Sequence, residues 1–589
     1  MKRKNPLITQ NVKRAFGEGI SFKVGSSYHL PEVQSPRWVL FLCFLIVFWL
    51  IGIARIIDLQ IIRGSYFRAL AEGNRIRRIP LKASRGEILD KNGAALARNL
   101  PVYKLATFSK GGVVTETQKI SREEALKIQA SDSEQASRII VDIEREYPLR
   151  MASAHLVGYV NEASADEVGS PACTTTYPLQ LGDAIGRMGI EAQYDCILRG
   201  INGEELIEVD SRGKIIRKMG RREPVPGNNI TLTIDKNIQE SAYQALVSAP
   251  SLARSSGGKP GWEGGTVAKG ALVAQNPANG ELQAMVSVPS FDPNKISQNY
   301  PSLAKDANLP LFNRAIGGAY HPGSTFKIVT ASGALEEGKI DKDFEYKDEG
   351  VVTVGKFNYK NWYFTQYGKT EGLINVVRAL TRSTDTFFYY IGGELGVNKL
   401  SEWAEKFGLG RPSGIDLPGE VSGLVPNPEW KEKIKKEKWF LGNTYHMAIG
   451  QGDMTATPVQ IVNMTSVIAN GGKLCKPHVV QIAQGCKDIG LKKETMELIT
   501  EGMVGVCSPG GTAFPLFDLE VSVEPPGRVA CKTGTAQFKA DKTHAWLTSF
   551  APSQNPDIVL TAILEEGGEG SSVAAPVVRK VLEEWLENR

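Results

Sequence analysis

Residues 321–338 read HPGSTFKIVTASGALEEG, and this run decides how the rest of the chain is read. Pro322 and Gly323 break whatever precedes them. Phe326, Ile328, Val329 and Leu335 then supply a buried helix face. Ser324 falls at the helix start, where backbone N–H groups are free and the positive end of the dipole lies. Lys327 follows three residues later, on the same face and one turn away. Burial beside that dipole disfavours an ammonium, so the spacing predicts a neutral lysine able to take the serine proton.

The same pattern has a plainer reading, a serine that merely caps a helix. Ser-x-x-Lys occurs four times, at Ser211, Ser256, Ser302 and Ser324. The first two lie in polar, Gly-containing stretches, and the third precedes Pro310 without a helical pattern. Two distant elements favour chemistry at the fourth. Ser383-Thr384-Asp385 precedes the aromatic run Thr386-Phe387-Phe388-Tyr389-Tyr390. Lys532-Thr533-Gly534-Thr535 follows the strand-like Arg528-Val529-Ala530-Cys531. Each alone is ordinary, a turn serine or a solvated strand lysine. Together they make the Ser-x-x-Lys, Ser-x-Asn, Lys-Thr-Gly set of serine acyl-transfer enzymes, with Asp385 where an amide is usual.

Outward from these motifs, Gly270–Ala274 and Leu282–Val288 flank Asn276-Pro277-Ala278-Asn279-Gly280 and predict a hairpin. His544–Ala551 and Ile558–Leu564 predict two more strands, and Val573, Val577, Val578, Val581, Leu582 and Trp585 one face of a last helix. Strands at both ends of a region with helices between them predict an α+β domain with an antiparallel sheet over 230–589. Ile230–Ile234 alternates like a strand, and a helix is expected from Asp235. Leu252–Lys269 is Gly/Ser/Lys-rich and reads as a mobile loop. Before the Pro224-Val225-Pro226-Gly227 boundary, residues 58–229 form a mixed region. Asp90-Lys91-Asn92-Gly93 marks a turn there, and Ser131–Glu146 predicts a helix with Ala136, Ile139, Ile140 and Ile143 on one face.

Trp38–Ala54, WVLFLCFLIVFWLIGIA, carries no charge. With Ile56 and Ile57 beyond a snorkelling Arg55, residues 38–57 predict one membrane anchor after a tail of 1–37. A cleaved leader is the competing reading, and Gly52-Ile53-Ala54 has the small-x-small look. However, 37 residues before the apolar core are unusual for a signal. Seven Lys/Arg precede the span and nine lie within Arg55–Lys91, so charge counting leaves the orientation open. If the chemistry faces outwards, the basic tail lies inside. A net charge of +5, from 69 basic and 64 acidic residues, is too balanced for a dedicated nucleic-acid binder. Seven Cys in 589 residues exclude a small disulfide scaffold. Cys475 and Cys486 are candidates to bridge adjacent strands, although spacing does not fix connectivity. No paired CxxC has the spacing of a zinc site.

Taken together, the chain resembles the class B penicillin-binding proteins, membrane-anchored peptidoglycan D,D-transpeptidases, over nearly everything after the anchor. The resemblance rests on the three motifs, on Lys532-Thr533-Gly534-Thr535-Ala536-Gln537, and on Gly450-Gln451-Gly452 with Thr457-Pro458-Val459-Gln460. In the amino-terminal half it rests on Arg85–Gly93, Arg145-Glu146-Tyr147-Pro148, Ala154–Tyr159, Gly189-Ile190-Glu191 and Leu198-Arg199-Gly200, which resemble that family's pedestal. Ser-x-Asp followed by Thr-Phe-Phe-Tyr resembles the cell-elongation branch more than the division branch.

The resemblance implies an elongated pedestal or dimerisation-type domain over 58–229. It implies Ser324 as the nucleophile, Lys327 as the general base, and Ser383 as a proton relay tied to Lys327 and Lys532. Backbone N–H groups of Ser324 and Thr535 would form the oxyanion hole. Lys532, Thr533, Gly534 and Thr535 would hold the substrate carboxylate, and Asp385 would contact substrate or hold Lys327. β-Lactams would acylate Ser324. A multi-span SEDS glycosyltransferase that polymerises lipid II is the implied partner. No cofactor is implied. Some elongation members carry a zinc site between the first two motifs, but no Cys or His occurs from Phe326 to Phe440, so no metal is expected. The alternatives are a D,D-carboxypeptidase or β-lactamase-like hydrolase, and a β-lactam-binding sensor or scaffold.

Overall fold

The computed structural model describes residues 36–67, 76–108, 114–131, 135–169, 179, 182–209, 215–257, 261, 268–520, 527–539 and 542–588. The chain divides into two compact units, Met1–Arg77 with Ile207–Arg217, and Arg78–Leu206 with Lys218–Arg589. The first contains α1 (Pro36–Ile57). The apolar stretch Trp38–Ile62 is long enough, at about 1.5 Å per residue, to cross a bilayer core.

In the second unit the amino-terminal part is built on a long strand, β1 (Ala95–Phe108), which pairs antiparallel with β2 (Val114–Ile120) and β3 (Ile139–Glu146). Strand β3 corrects the helix expected over 131–146. Only Ala136–Arg138 turns, as a short 3-10 segment. Ile139, Ile140, Val141 and Ile143 are β-branched and suit a pleated surface. They find a ready partner in β1, with Ile139 opposite Leu105 and Glu146 opposite Arg98. Two residues of the predicted apolar face, Ile140 and Ile143, remain exposed.

A buried ion-pair cluster ties this part together. Glu191, with no exposed surface, accepts from Arg85 Nε at 2.5 Å and Arg145 Nε at 2.8 Å. Hydrogen bonds join the same part to the chain beyond Asn229. Gln239 Nε2 donates to Ala152 O, Tyr147 N to Asn294 Oδ1, and the His155 ring lies 2.8 Å from Pro310 O.

Beyond Asn229, Asp235 caps α2 (Lys236–Val247) by accepting from the N–H groups of Asn237 and Ile238. Then come β4 (Gly270–Gln275) and β5 (Leu282–Val288), the expected hairpin. Leu252–Lys269 differs from its reading as a loop. It begins inside the helix Ala249–Ser255, and most of the remainder lies outside the described residues.

The motif helix α3 (Lys327–Glu336) is followed by a hairpin of β6 (Val351–Val354) and β7 (Phe357–Lys360). Helix α4 (Asp385–Lys406), interrupted at Gly396, α5 (Pro458–Ala469) and α6 (Lys493–Val506) come next. The chain closes with β8 (Ala530–Lys539), β9 (Lys542–Ala551), β10 (Ile558–Leu564) and α7 (Ala575–Glu587).

The central sheet has the order β5-β4-β10-β9-β8, and every pair is antiparallel. It is covered on both faces. Ala271, Val273, Val559 and Ile563 join a core with α3, α4 and α5. The alternate residues Leu272, Ala274, Leu560, Ala562 and Leu564 join a second core with α2 and α7. This period-2 sorting between two helical layers explains why the strands read as continuous apolar runs. It also leaves β8 as an edge strand, packed against the turn Gly323–Phe326 and α6. Two disulfides pin this region. Cys475–Cys486 joins residues directly opposite in a short antiparallel pair, and Cys507–Cys531 ties the end of α6 to β8.

Candidate active site

Ser324 lies in a 3-10 turn, Gly323–Phe326, that runs straight into α3. Every residue from Lys327 to Leu335 is buried, because the helix is wrapped on all sides. The turn is held by backbone contacts. Gly323 N donates to Gly450 O at 2.9 Å, and Trp546 Nε1 on β9 donates to His321 O at 3.0 Å.

Glycines permit this closeness. A Cβ on Gly450, whose φ is +69°, would lie 2.2 Å from Gly323 O. One on Gly534 would meet Thr325 Cγ2 at 3.1 Å and Pro322 O at 3.2 Å. The Gly-Gln-Gly segment and the Lys-Thr-Gly strand thus press against the Ser324 turn from two sides, where only glycine fits without displacement. Gln451 Nε2 closes the ring by donating to Thr535 O at 3.3 Å.

The second motif meets the first through Lys327. Ser383 ends the helix Val376–Arg382 in the left-handed region, at φ +55°, and this aims its hydroxyl inwards. Lys327 Nζ donates to Ser383 O at 2.8 Å, to Ser383 Oγ at 3.2 Å and to Asp385 Oδ1 at 2.6 Å. Its amine also lies 5.1 Å from the Phe388 ring centre. Lys532 Nζ reaches the same hydroxyl, donating to Ser383 Oγ at 2.8 Å and to Thr533 O at 3.1 Å. Neither lysine has exposed surface.

Two amines therefore converge on one hydroxyl inside the protein. Burial lowers the Lys327 pKa, opposed by the Asp385 carboxylate. Burial and then the Lys327 charge push Lys532 well below the ordinary lysine range, with Asp385 opposing. Both shifts favour loss of a proton. Of the two lysines, only Lys327 hydrogen-bonds to Asp385. Ser383 sits between them, and a proton released by one amine is a single hydroxyl away from the other. Among the described residues the Ser324 hydroxyl makes no hydrogen bond.

Ser324, Lys327, Ser383, Asp385 and the Lys532–Thr535 strand lie in or beside this cluster, with differences in exposure. Thr535 faces outwards and accepts at Oγ1 from Gly570 N at 3.3 Å. Thr533 is buried, and its hydroxyl shares a 2.7 Å hydrogen bond with that of Thr512. Of the two strand threonines, Thr535 is thus the one open to a ligand. Two residues that the sequence did not flag, Asn361 and Trp362, hydrogen-bond to Asp385. They belong to no motif, and nothing in the sequence marks them.

The matches to known proteins agree with this geometry. Residues 270–583 match the penicillin-binding protein transpeptidase domain, and residues 106–232 the penicillin-binding protein dimerisation domain. The peptidoglycan D,D-transpeptidase MrdA of Acinetobacter baumannii is 31% identical, over 100% of this chain and 90% of that protein. Among solved structures, one described as a peptidoglycan synthase complex coordinating polymerization and crosslinking aligns with a TM-score of 0.74 at 31% identity. It covers 94% of this chain and 98% of that one. A complex between penicillin-binding protein PBP2 and MreC from Helicobacter pylori aligns with a TM-score of 0.71 at 26% identity, over 87% and 99%.

Proposed function

Since the chain belongs to the penicillin-binding protein transpeptidase family, we propose that it is the serine D,D-transpeptidase that crosslinks peptidoglycan stem peptides during cell elongation, and a target of β-lactams. The observation that carries the assignment is the convergence of Lys327 and Lys532 on Ser383, beside the turn that presents Ser324.

The residues take the following parts. Ser324 Oγ attacks the carbonyl carbon of the penultimate D-Ala of a donor stem. Its proton passes to Lys327 once that amine is neutral. The C–N bond to the terminal D-Ala breaks, and Ser383 returns a proton to the leaving amine. Lys532 supplies or receives that proton through the same hydroxyl. The developing oxyanion sits between the backbone N–H groups of Ser324 and Thr535, and loss of one such donor typically costs about 3–4 kcal/mol of transition-state stabilisation. Thr535, with Gly534 leaving room beside it, receives the substrate carboxylate. The amine of a neighbouring stem then attacks the ester, forms the new amide and frees Ser324. A β-lactam enters the first half of this sequence and leaves Ser324 acylated.

We place the chain in the bacterial plasma membrane through Trp38–Ile62, with the catalytic unit outside the cytoplasm. Its partner is a SEDS-family polymerase that supplies the glycan strand. The similarity to the synthase complex supports that pairing, and the likeness to the PBP2–MreC complex supports a contact with an MreC protein.

Two measurements test this. Wild-type protein should take up fluorescent penicillin covalently, Ser324→Ala should not, and Lys327→Ala should label slower by about a thousandfold or more, since grouped catalytic residues fail together. With lipid II and the polymerase present, mass spectrometry should find crosslinked dimers. Hydrolysed tetrapeptide alone would overturn the transpeptidase assignment.

A further inference from the structure

The grip on Asp385 comes from chain that carries no catalytic motif. Asn361 follows β7 and has no exposed surface. Its Oδ1 accepts from the backbone N–H of Asp385 at 3.2 Å, and its Nδ2 donates to Asp348 Oδ2 at 3.2 Å. The next residue, Trp362, donates its backbone N–H to Asp385 Oδ2 at 3.1 Å. Asp348, itself buried, accepts from Thr386 Oγ1 at 2.7 Å and from Glu371 N at 2.8 Å. One hairpin segment therefore holds Asp385 by its backbone and its carboxylate, and the next residue by its hydroxyl.

In the turn before Asp385 the lysines hold Ser383, and the amides of Ser383 and Thr384 bond back to Leu380 and Ala379. The Asp385 carboxylate itself is fixed only by Lys327 and Trp362 among the described residues. Ser383 is left-handed, Thr384 makes no side-chain cap bond, and the buried Thr384 Oγ1 has no partner among the described residues. The clamp also needs one short side chain that donates and accepts at once. An amide does both, a carboxylate or an alkyl group does not.

We propose that Asn361 is a positioning residue for the transpeptidase, which acts through Asp385 to fix where Lys327 sits and how readily that amine releases its proton. The proposal rests on the acyl-transfer reading above. Asp385 is the only carboxylate hydrogen-bonded to Lys327 among the described residues. Lys532 faces Lys327 across Ser383, and Tyr389 senses the Asp385 charge. Behind the clamp, Tyr346 feels the Asp348 charge and hydrogen-bonds to Thr386, and Glu371 pairs with Arg378 and Arg382.

The test is the rate of labelling by fluorescent penicillin as a function of pH, on the full chain in detergent, for wild type, Asn361→Ala and Thr386→Val. A carboxylate free to swing away favours the Lys327 ammonium less. In Asn361→Ala the rising limb of the profile should move to lower pH by at least about half a unit, while the plateau falls about tenfold. Thr386→Val cuts the Asp348 rung with little change of volume. It should shift the limb in the same direction by less, and it decides the matter if Asn361→Ala does not fold. Rates that drop in parallel at every pH, or that do not change, overturn the proposal. An unlabelled wild type would instead overturn the acyl-transfer reading.

Discussion

Lys327 Nζ lies 2.6 Å from Asp385 Oδ1, and the lysine has no exposed surface. This contact replaces the neutral amide usual at the third position of the second motif with a negative charge. It favours the ammonium on the residue proposed as general base.

Removing that charge has a signed consequence. In Asp385→Asn the opposition to burial disappears, and the Lys327 pKa drops further below its ordinary value. The amine is then neutral at lower pH, so the rising limb of the acylation profile should move towards acid. The plateau should fall by about ten- to a hundredfold, because the amine also loses its anchor. A profile unmoved in pH would show that Asp385 does not set the lysine's protonation.

Gly450→Ala tests the close packing behind Ser324, the proposed nucleophile. The added methyl meets a backbone oxygen at 2.2 Å, at a φ of +69°. Loss of about 2–3 kcal/mol of stability is expected from overpacking and strain together. Acylation should fall by more than that loss of folded protein explains, since the displaced atom belongs to the residue before Ser324. The check is a thermal melt beside the labelling rate on the same sample.

His155 makes the fold sensitive to acid. Burial, its largest influence, holds the pKa at about 4, below the ordinary 6.5. The folded state therefore binds fewer protons than the unfolded state between these values, and stability falls as pH drops from about 6.5 to 4, by up to about 3 kcal/mol. His155→Gln should flatten urea-melt midpoints across that window. Equal slopes in wild type and variant would place the acid sensitivity elsewhere.

Much of the site is legible in the chain because its residues come in short motifs with local geometry. Ser324 and Lys327 share one turn, and Lys532 to Thr535 share one strand, so spacing alone carries information. The clamp does not announce itself. Asp348, Asn361 and Asp385 lie in separate segments, and their association exists only once the hairpin folds back on α4. The region 139–146 misleads for a related reason. Ile139, Ile140 and Ile143 fit a helical stripe as well as a strand, and the decision belongs to β1, some forty residues earlier. Cys475 and Cys486 could be paired in thought as strand neighbours, whereas nothing in the spacing links Cys507 to Cys531.

The Cys507–Cys531 bond ends one residue before Lys532. The covalent frame of the strand that carries Lys532 is thus completed by oxidation, after translation, in whichever compartment permits it. Protein made in a reducing bacterial cytosol would lack the tie between α6 and β8. A preparation route that exports the chain becomes part of any meaningful rate measurement.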